Sequence, residues 1–370
     1  MSRLPRIAVL FAAVLVAIAS GCARAPEIVG IDNPAFPVAA QTEVTTHRIF
    51  ITTTRQATEA VGAFFSDRRA PEVGLASVDV SVPPGHVKGA LERPDRLPPD
   101  PRVEFAVVNP LVYDSDAAFL SELNRELRKR APGRRKVLFF IHGYNTSTSD
   151  AILRLGQFVE DSGFDGVPVL LTWASAARTT RYVYDLNSAL IARAKLKQIS
   201  DLIVRSNAEG IGVFAHSMGT FLLMEGLVDA QLSGRLNRHG KINHIILAAP
   251  DIDIDLFRAQ VSILPPSILD KMYLLVSRDD YALRASRRVA GGVPRVGAFD
   301  AAELERLGIT VIDLSKIEDS SSGSHNKFSG SPEVVQLIGE AMKSGSQFSK
   351  SQTPGLGELL ATVPVQVFRP

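Results

Sequence analysis

The sequence predicts an α/β fold: a mostly parallel, doubly wound sheet with an antiparallel β extension on its N-terminal side. Three observations carry this. From Ser115 onward, helical patterns alternate with short apolar runs. Those runs show no polar alternation, as expected of strands covered on both faces. Polar, chemistry-bearing residues recur directly after the runs, where open parallel sheets bind their ligands.

The elements follow in chain order. Arg3 and Arg6 precede an uncharged apolar stretch over residues 7–20 and then small residues, the pattern of a secretory signal. The stretch falls short of the roughly 20 residues a membrane span needs. It ends in "ASGC", where Cys22 is the single cysteine of the chain. Residues 1–22 are therefore expected to be a signal segment. The Pro/Ala-rich, aperiodic residues 23–45 are expected to be a linker. The runs "HRIFITTT", "LASVDVSV" and "EFAVVN", separated by Gly/Pro stretches, predict the antiparallel extension.

Helices are then expected near 115–130, 149–161 and 185–206, from Met218, from Tyr281 and near 332–343. Strands are expected at "KVLFFIHG", "VPVLLTW", "IGVFAH", "INHIILAAP", "KMYLLVS" and "ITVIDLS". The folded body is expected over 46–343, with a flexible Ser/Gly/Pro-rich tail over 344–370.

Composition narrows the function classes. With 22% charged residues and a formal net charge of +2, no long-range field argues for a nucleic-acid partner. One cysteine excludes internal disulfides, CxxC redox motifs and thiolate zinc sites. There is no GxxxxGK[ST], and "GGVPRVG" does not open a helix after a strand, so no nucleotide cofactor is expected. Asp251, Asp253 and Asp255 alternate in a strand-to-helix loop, a spacing that fits capping and solvation better than a metal site. His142 and His216 lack a third ligand at metal-site spacing. No metal and no cofactor are expected.

The residues that follow the strands are chemically coherent. They are "HGYN" (residues 142–145), His216 and Ser217, "RDD" (residues 278–280), and a last loop ending in "GSHNKF" with His325. In "VFAHSMGT" the small residues Ala215 and Gly219 flank Ser217, which suggests a tight turn pushing the serine into the open. A serine hydroxyl needs a base to take its proton, and the base needs an acid to orient it. Ser217, then Asp279 or Asp280, then His325 supply the three in order. Of the other histidines after Ser217, His239 lies in a basic turn and His244 within a strand. Gly143 lets the chain turn closely, and His142, Gly143, His216 and Trp173 are candidate substrate contacts, Trp173 being equally suited to the core.

Together, "FIHGYNTS", "LLTWAS", "YDLNSA", "FAHSMG", "AAPDID" and "GSHNKF" make residues 45–340 resemble a bacterial α/β-hydrolase family of unknown function. The resemblance implies an α/β-hydrolase fold with Ser217 as nucleophile, Asp280 as acid and His325 as base. It also implies that the turn of His142, Gly143 and Tyr144 forms part of an oxyanion hole, for which the amides of Tyr144 and Met218 are the expected donors. Asp279 would then cap the helix from Tyr281. Ala215 departs from the first glycine of G-x-S-x-G, though it is still small.

The "ASGC" segment resembles a bacterial lipoprotein lipobox, which implies lipidation of Cys22. With Ala23 and Arg24 following and no aspartate next, the periplasmic side of the outer membrane is the expected location. The leading functional reading is a carboxylic-ester hydrolase acting on a small-molecule or lipid ester through an acyl-enzyme. A non-catalytic scaffold binding an envelope partner, and an acyltransferase or amidase using the same triad, are the alternatives.

Overall fold

The computed structural model describes residues 25–317, 324–344 and 364–370. The signal segment with Cys22, and residues 345–363 of the tail, lie outside the described residues. In chain order the strands and α-helices are β1 (Thr45–Ala57), β2 (Phe65–Val82), β3 (Ala106–Val112), α1 (Asp116–Arg128), β4 (Lys136–Ile141), α2 (Thr148–Ser162), β5 (Val167–Thr172), α3 (Tyr182–Val204), β6 (Gly210–His216), α4 (Met218–Leu232), β7 (Ile242–Ala248), α5 (Ile254–Ile263), α6 (Pro266–Leu269), β8 (Met272–Val276), α7 (Tyr281–Val289), α8 (Ala301–Glu305), β9 (Thr310–Asp313), α9 (Lys327–Gly330), α10 (Pro332–Ser344) and β10 (Gln366–Phe368).

One sheet runs through the molecule in the order β10-β9-β8-β7-β6-β4-β5-β1-β2-β3. The block from β9 to β5 is parallel. The antiparallel extension is continuous with it, because β1 pairs in parallel with β5 through Phe50 to Thr53 and only then turns antiparallel to β2, and β2 to β3.

Alternate residues of the central strands feed two apolar layers, which is why these strands read as unbroken apolar runs. Val137, Phe139 and Ile141 face α1, α3, α4 and α5 through Phe119, Ile199, Leu222 and Phe257. Leu138 and Phe140 face α2 and α10 through Phe158 and Ile338. Each of these side chains is nearly or fully buried, and each such burial contributes about 1.5–3 kcal/mol.

Chain order reverses at β4, which has β5 on one side and β6 on the other. The loops after β4 and β6 therefore diverge around a switch-point crevice, the position where this architecture binds ligands.

Several features differ from the sequence expectation, the short helices α6, α8 and α9 among them. Residues 25–45, expected as a linker, dock on the body: Ile28 is fully buried, its amide donates to Ser149 Oγ at 3.0 Å, and Val29 bridges Val107. Within the expected flexible tail, β10 adds antiparallel to β9 and covers that edge. α5 was not anticipated; Asp253 starts it by accepting from the amides of Asp255 and Leu256. Among the described residues no helix is long and apolar enough to cross a membrane.

Candidate active site

Ser217 stands between β6 and α4 at φ 51° and ψ −125°, a left-handed conformation that is rare for a residue with a side chain. Its surroundings impose that geometry. The Ser217 amide donates to Ala248 O at 2.9 Å, and its carbonyl accepts from the Thr220 amide at 2.9 Å and from Thr220 Oγ1 at 2.6 Å. The glycines nearby are required by close approach. A Cβ at Gly219 would lie 2.4 Å from His142 O, and one at Gly143 would lie 2.8 Å from Ser217 Cβ. Ala215 is fully buried in β6. The sequence suggested a serine pushed into the open; instead Ser217 is only 3% exposed and forms part of the wall of a cavity of about 530 Å³.

His325 reaches the same cavity from the loop after β9. Its Nδ1 donates to Asp280 Oδ2 at 2.7 Å. Asp280 is fully buried at the start of α7, and its Oδ1 accepts from the Leu283 amide at 2.9 Å. One carboxylate thus caps the helix and orients the imidazole.

Asp279, expected to cap that helix, turns the other way. It accepts from Lys327 Nζ at 3.0 Å and from Ser324 Oγ at 2.7 Å, and also bonds Ser277 Oγ. These bonds hold it below the usual carboxylate range although burial opposes the charge. Lys327 is buried and also donates to Leu314 O, so Asp279 neutralises a buried cation beneath the His325 loop.

The loop after β4 supplies the opposite wall. Neither the Tyr144 amide nor the Met218 amide donates to an acceptor among the described residues. Met218 is the first residue of α4, so its amide adds the positive end of a helix.

His142 is buried and its ring stacks on Trp173 with centroids 5.1 Å apart. Its Nε2 accepts from the Trp173 amide at 3.1 Å, so Nδ1 carries the hydrogen and donates to Gly143 O at 2.8 Å. Burial, aided by the Arg55 charge, pushes His142 down to about 3. His142 is thus a neutral brace for the loop that also edges the cavity. Trp173 belongs to the core: it is fully buried, its Nε1 donates to His142 O at 2.8 Å, and it does not line the cavity. His216 lines the cavity and donates from Nε2 to His325 O at 3.2 Å. Burial and the neighbouring His325 hold its pKa well below the ordinary imidazole value.

The far wall was not anticipated as a polar cluster. Asp251 is buried, accepts from Tyr182 Oη at 3.1 Å and Ser286 Oγ at 2.7 Å, and lies 3.2 Å from Arg295 Nε. It is an internal ion pair, not the solvated group expected. Asp253 and Asp255 are a cap and a partner of Arg258.

Solved structures that this chain matches include an esterase from Pyrobaculum calidifontis, 15% identical over 59% of this chain and 79% of that chain with a TM-score of 0.36. A study of two fungal esterases from Rhizomucor miehei supplies another, 12% identical over 82% of this chain and 84% of that chain, TM-score 0.35. No curated protein matches the chain. The family model described as "Alpha/beta hydrolase of unknown function (DUF900)" matches residues 115–341, which hold Ser217, Asp280, His325 and every parallel strand from β4 to β9. The chain belongs to this α/β-hydrolase family.

Proposed function

We propose that the protein is a serine hydrolase that cleaves carboxylic esters through an acyl-enzyme on Ser217. The observation that carries this is the 2.7 Å bond from His325 Nδ1 to Asp280 Oδ2, at a cavity that also holds the left-handed Ser217. In this reading Ser217 Oγ attacks the ester carbonyl as His325 takes the hydroxyl proton. The oxyanion forms toward the amides of Tyr144 and Met218. Collapse expels the alcohol, which receives the proton from His325. Water, deprotonated by His325, then attacks the acyl-enzyme; collapse expels Ser217, which takes the proton back from His325, and the acid is released. Asp280 stabilises the transient imidazolium. The apolar wall of Leu91, Leu283, Ala285 and Val289 suits a hydrocarbon portion of the substrate.

The test is labelling of the wild type by a fluorophosphonate, followed by a panel of nitrophenyl esters of increasing chain length. The label is expected on Ser217 and absent from Ser217→Ala, with ester turnover lost in parallel. Undiminished turnover in Ser217→Ala would overturn Ser217 as the nucleophile, and a wild type that neither labels nor turns over ester would move the reading to a scaffold that binds a partner.

The sequence alone supports a companion proposal, that Cys22 carries lipid and places the body on the periplasmic side of an outer membrane. Incorporation of a radiolabelled fatty acid is then lost in Cys22→Ser, and equal incorporation removes the anchor.

A further inference from the structure

Two of the motifs that carry the family likeness, "YDLNSA" and "LLTWAS", contribute nothing to the triad, and the β extension lies outside the parallel block. The three meet behind the loop after β4. Arg55, on β1, is 2% exposed. Its guanidinium donates to Thr172 Oγ1 at 2.8 Å, Ser66 O at 3.2 Å, Ser175 O at 2.9 Å and Thr146 O at 2.7 Å. Asp185, in the first turn of α3, is fully buried and accepts from Ser175 Oγ at 2.5 Å, the Ala176 amide at 2.7 Å and the Asn145 amide at 3.2 Å. Ser175 joins the two charges: its carbonyl takes Arg55, its hydroxyl serves Asp185, and its Oγ accepts from the Thr146 amide at 3.1 Å.

Followed along the loop, four of its carbonyls and two of its amides have internal partners. His142 O accepts from Trp173 Nε1, Gly143 O from His142 Nδ1, and Tyr144 O from Thr146 Oγ1. Asn145 and Thr146 are held as above, with Asn145 at φ 55°. The Tyr144 amide sits in the middle of this bracing and donates to no acceptor among the described residues. A donor pinned on both sides, with its hydrogen left for an incoming charge, is what a preorganised oxyanion site requires.

We propose that Arg55 and Asp185, acting through Ser175, are positioning residues that set the Tyr144 amide for the oxyanion, so that the β extension is part of the catalytic apparatus. This rests on the reading of Ser217 as nucleophile. Arginine suits the place because its rigid fork serves several acceptors in fixed directions, which an ammonium at the end of a flexible stem does not.

The experiment compares Asp185→Asn, Arg55→Lys and Ser175→Ala with the wild type, all in the full chain. For each, kcat and KM for nitrophenyl acetate are measured per site titrated by fluorophosphonate. Inhibition by a trifluoromethyl ketone, whose serine adduct carries an oxyanion, and the melting temperature are measured alongside. Losing a well-placed oxyanion donor costs 10²–10³ in kcat, and a displaced one costs less, so kcat is expected to fall about 10–100-fold with KM within about threefold. Ketone affinity is expected to fall in step with kcat/KM. A merely structural role would lower the melting temperature and leave kcat per site and ketone affinity unchanged, and that result overturns the inference. If Asp185→Asn and Arg55→Lys do not fold, Ser175→Ala decides, since it removes one hydroxyl. A wild type that neither labels nor turns over ester overturns the Ser217 reading and this inference with it. An active wild type with unaltered folded variants overturns this inference alone.

Discussion

His86 and His325 each hold a carboxylate within 2.8 Å, yet the two regions differ in kind. His86, between β2 and β3, has Glu92 on Nδ1 at 2.7 Å and Asp161 of α2 on Nε2 at 2.8 Å. Its ring stands edge-on to Phe105. Burial opposes its charge, but the two carboxylates outweigh that and push it up to about 9. An imidazolium clamped at both nitrogens is a tie between loop and helix, with no nitrogen to spare for a substrate. His325 has its carboxylate on Nδ1 and its ring at the cavity with Ser217. The lesson is that a His–carboxylate contact does not mark a base; what the rest of the ring faces decides the role.

Removing each ring separates the two roles. His325→Ala is expected to lower nitrophenyl acetate turnover by about 10⁴-fold or more and to cost about 1–3 kcal/mol in urea unfolding, because the buried Asp280 loses the donor on Oδ2. His86→Ala is expected to keep kcat within about threefold while costing about 3 kcal/mol, because Asp161 stays buried without its cation. Loss of turnover in a folded His86→Ala would erase the distinction.

The two adjacent aspartates divide in the same way. Asp280→Asn should reduce kcat by about 10³–10⁴-fold, since the amide holds the wrong tautomer of His325. Asp279→Asn should leave kcat nearly intact and cost about 1–2 kcal/mol in urea unfolding, modest because Asp279 is almost half exposed. The reverse order would transfer the acid role to Asp279.

The two carboxylate-bound regions also differ in how stability depends on pH. His86 is raised in the folded state, so its contribution is complete below about 6.5 and is lost as pH rises through about 9. Glu92 is lowered in the folded state against its own burial, so its contribution is lost on the acid side. The urea midpoint should therefore decline between pH 6.5 and 9 in the wild type, and this slope should flatten in His86→Phe. An equal slope in both would remove the charged tie. The smallest effect expected is in Tyr144→Phe. The Tyr144 hydroxyl donates to Thr179 O on an exposed flank, and its proposed role uses the backbone amide, so kcat should change less than about threefold.

How far the sequence was legible follows from chain distance. Ser217 and the loops of Asp280 and His325 each sit just past a strand, where apolar periodicity locates them directly. Arg55 and Asp185 escaped because each is one polar residue within an ordinary strand or helix, and the Arg55 contact with Ser175 spans 120 residues. The available signal for Asp185 is its place in "YDLNSA". Trp173 was ambiguous because the first position past a strand can face either the crevice or the core. Its indole bond to His142 O resolves it to the core. The docking of residues 25–45 left no periodic trace, since single side chains such as Ile28 and Val38 make the contact. Asp279 and Asp280 are indistinguishable by type and differ only in which way the turn points them.

The parallel pairing of β1 with β5 also sets a timetable. Thr52 meets Leu170 across 118 residues, so on a growing chain β1 waits roughly 6–24 s for its neighbour at 5–20 residues per second. Until then Ile49, Phe50 and Ile51, all fully buried in the finished protein, have the β2 hairpin and earlier elements such as α1, whose Phe119 packs on Phe50, but not β5. The β1 edge therefore stays unpaired during that interval of synthesis, and an unpaired apolar edge is a template for wrong pairing.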